Sequence, residues 1–162
     1  MVKGPDFSRE MRRGEEGEVE ELLRLAFGGD DEARLVQKLR KDRVIAGEMV
    51  MALEGSLVGY YALSQFVAPK GWLCLAPVAV HPDVQGRGYG RRMIGMLSAW
   101  AQASHNTVVV LGQAGFYARA GFDSERAALL KSPYPIEHTL LAGPGEDAPE
   151  AELIYPKAFD GL

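Results

Sequence analysis

The segment Gln85-Gly86-Arg87-Gly88-Tyr89-Gly90 sets a glycine at every second position, just before Arg91, Arg92 and an apolar stripe of Met93, Ile94, Leu97, Trp100 and Ala101. Without Cβ atoms the backbone can turn sharply and approach a ligand closely. The first N–H groups of a helix have no intrahelical acceptor, so behind a strand they form a pocket for phosphate oxygens. An unneutralised arginine at that end of the dipole costs roughly 0.3–1 kcal/mol, and a bound pyrophosphate reverses the sign. The chemistry implied is capture of a phosphate-bearing ligand. A Walker A loop requires Gly-Lys-Ser/Thr, but these glycines lead into Arg91-Arg92-Met93. A dinucleotide fingerprint fails in both registers, since it requires glycine at Arg91 or at Met93.

A third form, Gln/Arg-x-x-Gly-x-Gly/Ala, fits in full. On it the segment resembles the pyrophosphate loop of the GCN5-related N-acetyltransferases, which hold acetyl-coenzyme A. The flanking "APVAVHP" (76–82) and "RRMIGML" (91–97) match that family's strand and helix, and "FYARAGF" (116–122) resembles its late helix. The resemblance implies acetyl-CoA as cosubstrate, bound by Val78, Ala79, Val80, Gln85, Gly86, Arg87, Gly88, Tyr89, Gly90 and Arg91, with no metal. It also implies that Tyr117, four residues before Gly121-Phe122, points at the coenzyme sulfur. A phenol of pKa near 10 suits donation to a departing thiolate, whose thiol has a pKa of about 8.5. Phe116 and Phe122 read as core aromatics, and adjacent helical residues diverge by about 100°, so Tyr117 and Phe116 face differently. Around Val78, Ala79 and Val80 the backbone can pair with pantetheine amides as an added strand would, and an N–H there can stabilise the thioester oxyanion.

No general base is assigned. The family often uses a glutamate on this strand, but "WLCLAPVAV" (72–80) holds no carboxylate. Cys74 reads as a small buried hydrophobe, and no His/Cys pair supports covalent catalysis. His81 and Ser64 remain in the vicinity. Beyond Phe122, "SPYP" and "IYPKAF" (154–159) are similar to the YhbS-type branch of small bacterial acetyltransferases. The resemblance places the acceptor cleft between residues 27–31 and 143–151, where Asp30, Asp31, Glu146, Asp147 and Glu150 would attract a cationic amine. The acceptor class is a small-molecule or peptide amine, and a homodimer is common in families of this kind. Whether the acyl group is acetyl or longer is open.

These groups need elements to hold them. Residues 15–27 carry Val19, Leu22, Leu23, Ala26 and Phe27 at helical spacing, and a second helix follows Gly28-Gly29 through Leu35 and Leu39. Strands are predicted at 49–53 and 57–67 about a Glu54-Gly55-Ser56 turn, and at 72–80, where Pro77 removes a ladder donor and requires a bulge. A helix over 88–105 with Asn106 as left-handed cap, a strand at 107–112 and a short helix at 114–122 complete the motif region. "AGPGEDAPEA" (142–151) is an excursion between the last two strands, the closing one beginning at 153–155. The order implies a mixed α/β domain with a parallel pair formed by the strands flanking the long helix, and the resemblance implies an α/β fold of the GNAT type. Its mixed, mostly antiparallel twisted sheet is flanked by helices and has a splayed parallel strand pair around the coenzyme loop.

Composition sets the outer bounds. A chain of 162 residues, 47% hydrophobic and 25% charged, reads as one domain over 1–162. A net charge of −4 argues against a nucleic-acid partner. One cysteine excludes an internal disulfide, and the polar start without a signal-peptide core fits a cytoplasmic protein with no membrane partner. Two rivals stand beside the enzyme: a non-catalytic acyl-CoA-binding sensor or interaction module, and an unrelated nucleotide-binding protein.

Overall fold

The computed structural model describes residues 8–160. Its framework is the hairpin of β2 (Ile45–Leu53) and β3 (Ser56–Gln65). Glu54 and Gly55 between them both have positive φ (51° and 84°), the turn whose twist matches the flanking strands. β1 (Arg9–Glu10) lies along β2, and β4 (Leu73–Val80) runs antiparallel along β3. α3 (Tyr89–Ser104) then crosses over to β5 (Val108–Leu111), which pairs parallel with β4, and β7 (Thr139–Ala142) closes the order β1-β2-β3-β4-β5-β7. The mostly antiparallel sheet with one parallel pair is the expected architecture.

Helices cover both faces. α1 (Glu16–Phe27) and α2 (Asp31–Lys41) place Val19, Leu22, Leu23 and Val36 against Val50, Leu57, Tyr60 and Ala79. On the other face α3 packs Met93, Ile94 and Leu97 against Tyr61, Leu63 and Leu75. A charged network clamps the first face. Arg40 bridges Glu48 (2.8 Å) and Glu20 (3.3 Å), and the Tyr60 hydroxyl donates to Glu48 Oε1 at 2.6 Å. Among the described residues no helix is long and apolar enough to cross a membrane.

Three boundaries differ from expectation. β2 starts at Ile45 rather than 49, because the polar Glu48 that interrupts the apolar run is satisfied by Arg40 and Tyr60. His105, not Asn106, takes the left-handed position after α3 (φ 58°), and its N–H reaches the Ala101 carbonyl. Asn106 instead donates its amide to the Ser104 hydroxyl at 2.7 Å. Residues 153–155 do not open a strand of the main sheet. β8 (Ala151–Glu152) pairs with β6 (Leu130–Lys131) as a separate parallel ladder, and Ile154 bridges only to Ala68. Pro149 and Pro156 bracket that run, and neither can donate to an extension of the ladder.

Candidate active site

The site begins at the irregularity of β4. Tyr61 pairs with Val78 and Leu63 with Leu75, so Ala76 and Pro77 together stand opposite Ala62. This bulge is the one that Pro77 demands. β5 follows β4 only from Leu73 to Leu75, and beyond that the parallel pair is open. His81 N–H donates to the Val58 carbonyl at 2.8 Å. By alternation Ala79 also turns its backbone toward β3, while Val78 and Val80 turn theirs into the opening. Gln85 Nε2 occupies the Val80 carbonyl at 2.9 Å, which leaves the Val78 groups and the Val80 N–H facing the gap.

After β4 a short turn at Pro82–Val84 leads to Gly86 (φ 81°) and Gly88 (φ 82°), both in the left-handed region that disfavours side chains. Gly88 caps α3, and the first bond at that end runs from the Arg92 N–H to the Gly88 carbonyl at 3.0 Å. The N–H groups of Tyr89, Gly90 and Arg91 precede that ladder and have no acceptor within the helix. A Cβ at Gly90 would lie 3.1 Å from Val80 Cγ2 and 3.4 Å from Phe116 Cζ, so this glycine serves close packing rather than backbone conformation.

A cavity of about 570 Å3 joins these parts. Val78, Val80, Gln85, Gly86, Gly88, Tyr89, Gly90 and Arg91 line it, and Tyr117 lies on the same wall system. Two of the expected binding residues stand apart. Ala79 is buried in the core under α1, and Arg87 is exposed outside the cavity. Sequence reasoning did not assign Val84, Gln113, Phe116 and Arg119, which complete the lining. The available signal was position: Gln113, Phe116 and Arg119 lie within four residues of Tyr117, on or beside α4 (Ala114–Arg119).

Tyr117 is held from several sides. Its ring meets Phe116 and Phe122 edge to face at 5.0 and 6.0 Å. Ser98 on α3 donates to the Ala120 carbonyl at 2.7 Å, fixing the end of α4, and a Cβ at Gly121 would strike that Ser98 hydroxyl. The Tyr117 hydroxyl makes no hydrogen bond among the described residues, and burial pushes its pKa up to about 12. Gly112 lies flat against the ring, so a Cβ there would sit 2.5 Å from Tyr117 Cε2. The Gly112 N–H donates to the His138 carbonyl at 2.9 Å, so its backbone has little room to retreat. Gly112→Ala should displace the ring and lower kcat on the order of tenfold or more. Coenzyme Kd should stay within about twofold, a split that steady-state kinetics and calorimetry read separately.

The residues near the expected base behave differently from one another. Cys74 is fully enclosed and burial pushes its thiol pKa up, away from a nucleophile. His81 Nδ1 accepts the Asp83 N–H at 3.1 Å and so caps the turn after β4. Ser64 is buried, and its hydroxyl has no hydrogen-bond partner among the described residues. The two acidic loops are partly neutralised. Asp30 pairs with Arg24 (2.8 Å) and Arg34 (3.7 Å), and Asp147 with Arg126 (3.6 Å). Arg126 also donates to the carbonyls of Gly143, Pro144 and Asp147, so it braces the 143–147 turn. Among the described residues no group of three or more His, Cys, Asp or Glu is placed to hold a metal ion.

Comparison with known proteins bears on this geometry. The acetyltransferase (GNAT) domain model matches residues 46–124, from β2 through α4 and just beyond. The uncharacterized N-acetyltransferase YhbS of Escherichia coli is 34% identical over 111 residues, 65% of this chain and 66% of its own length. A second E. coli protein, the uncharacterized N-acetyltransferase YjhQ, is 31% identical over 138 residues, 78% of this chain and 76% of its own. Among solved structures, E. coli YhbS in complex with CoA superposes with a TM-score of 0.85 at 24% identity, covering 100% of this chain and 97% of that one. A GNAT-family acetyltransferase from Brucella melitensis in complex with acetyl-CoA gives 0.78 at 27% identity, with coverage of 94% and 97%. The bulged strand, the glycine turn and the tyrosine helix all lie within or at the edge of the matched stretch, and on sequence and fold together the chain belongs to the GNAT acetyltransferase family.

Proposed function

We propose that the chain is an N-acetyltransferase that moves an acetyl group from acetyl-CoA to a primary amine by direct attack in a ternary complex. The observation that carries this is one cavity shared by three features: the unbonded Tyr117 hydroxyl, the free helix-start N–H groups, and the open backbone at Val78. The N–H groups of Tyr89, Gly90 and Arg91, with the Arg91 side chain, receive the pyrophosphate. Val78 pairs with the pantetheine arm, and the N–H of Val78 or Val80 faces the thioester oxygen. The acceptor nitrogen bonds to the carbonyl carbon, the C–S bond breaks, and the sulfur takes the Tyr117 proton. The nitrogen's surplus proton leaves to solvent, and Tyr117 is reprotonated in turn. CoA and acetyl-CoA bound to the two structural relatives support the cosubstrate.

Direct attack is favoured over an acyl-enzyme because the Cys74 thiol is buried and held protonated. Initial-velocity lines at varied acetyl-CoA and amine should therefore intersect. Parallel lines would indicate a covalent intermediate and overturn direct attack. One observation favours a second reading. β4 carries no carboxylate, so a base that works through water is missing from that strand, as in a coenzyme sensor without turnover.

A further inference from the structure

A second cavity, of about 690 Å3, lies between residues 131–134 and 152–160, away from the glycine turn. Its Tyr155 and Phe159 belong to the cluster that also holds Leu35 and Leu39 of α2. Tyr155 at its base packs into the cluster that contains Cys74 and Ala76 of β4. Ala76 is two residues from Val78, or about 7 Å of strand. Burial raises the pKa of both the Tyr134 and the Tyr155 hydroxyl, and the Asp160 carboxylate adds to the rise at Tyr134. The two cavities are also linked along the chain. Gln113 lines the coenzyme cavity and also a groove with Pro135 and His138, and the same 132–138 segment supplies Pro133 and Tyr134 to the second cavity.

Its walls are aromatic and its rim is acidic. Tyr155 meets Phe66 and Tyr134 at 4.8 Å and Phe159 at 5.6 Å, all edge to face, which makes a rigid apolar floor. The Tyr134 hydroxyl donates to the Phe159 carbonyl at 3.3 Å and closes one end. Ile154 is left 46% exposed at the margin, an apolar side chain with room for a partner. Two carboxylates, Glu152 and Asp160, against Lys131 leave one net negative charge, and neither carboxylate has an ion pair among the described residues. A cation fits the rim and an apolar body fits the floor.

We propose that this cavity is the acceptor site and that it takes a monocationic amine carried on an apolar body. The proposal rests on the transfer reading above for the identity of the reaction, and its site on the geometry of this cavity alone. It moves the acceptor from the loops 27–31 and 143–151, whose Asp30 and Asp147 are already paired, to the C-terminal aromatic cluster.

The test uses the full chain saturated with CoA, titrated calorimetrically with 2-phenylethylammonium and, separately, with spermidine. Phenylethylammonium should bind more tightly than spermidine. The double variant Glu152→Gln/Asp160→Asn should weaken phenylethylammonium about tenfold, with CoA affinity within about twofold of the parent. As a second probe of the apolar floor, Ile154→Ser should weaken phenylethylammonium and leave CoA unaffected. Equal binding of the amine to parent and both variants overturns the site, even if the protein acetylates amines. Preference for spermidine overturns the apolar class. Variant-sensitive binding without any acetyl transfer sustains the site and instead defeats the transferase reading.

Discussion

Replacing Tyr117 by phenylalanine should lower kcat by about 10²-fold or more while coenzyme Kd changes less than about twofold. The ring would keep its contacts with Phe116 and Phe122, so the cavity wall should survive, and only the hydroxyl is lost. That hydroxyl has no hydrogen-bond partner among the described residues, so its removal strands no buried group and the fold should be unaffected. The pH profile adds a signature. Burial raises the Tyr117 pKa to about 12, so the donating, neutral form persists well past the ordinary phenol value near 10. Rate should therefore rise with pH as the acceptor amine loses its proton, then stay level instead of falling near pH 10. A descending limb centred on 10 in the parent, absent from Tyr117→Phe, would place the phenol in water rather than in this pocket. Unchanged kcat in the variant would remove Tyr117 from the mechanism.

The second large effect is expected at Gly88. Valine there must adopt φ near 82°, which no β-branched residue tolerates, so the turn would rebuild and redirect the N–H groups that start α3. Losing two charge-assisted hydrogen bonds to phosphate should raise coenzyme Kd by at least about 10²-fold. Gly95 on the same helix is the control, because a Cβ there meets nothing within 4 Å and its backbone is helical. Gly95→Ala should leave Kd unchanged, and circular dichroism of both variants should match the parent. Gly90→Val should also weaken coenzyme, but by crowding Val80 and Phe116, so its loss should come with lower thermal stability. Equal Kd for Gly88→Val and the parent would show that this turn and the N–H groups that start α3 do not hold the coenzyme phosphates.

Features fixed by local stereochemistry could be read from the residues. Pro77 in an apolar run required a bulge, and the bulge is there with Ala76 and Pro77 opposite one residue. The glycines before an amphipathic stretch required a tight turn into a helix, and both Gly86 and Gly88 hold positive φ. What escaped depends on partners distant in sequence. Glu48 fell outside the strand predicted at 49–53, yet Arg40 and Tyr60 satisfy its carboxylate within β2. Two of the loop carboxylates, Asp30 and Asp147, are paired by Arg24, Arg34 and Arg126, contacts that no local pattern announces. The aromatic cluster of Tyr134, Tyr155 and Phe159 is assembled from segments with no common periodicity, so no pattern along the chain pointed to a cavity. The side-chain direction of Ala79 followed from the parity shift that the bulge imposes, which the run of apolar residues conceals.

In the proposed function, coenzyme binding in this cavity is coupled to acetyl transfer. The direct measurement mixes the protein with acetyl-CoA and a panel of primary amines and follows free thiol, with parallel calorimetry of coenzyme binding. The expected result is thiol release that requires an amine, saturates in both substrates and yields the N-acetylated amine by mass. Tight coenzyme binding with no amine-dependent thiol release across the panel would contradict it and establish a coenzyme-binding module without turnover.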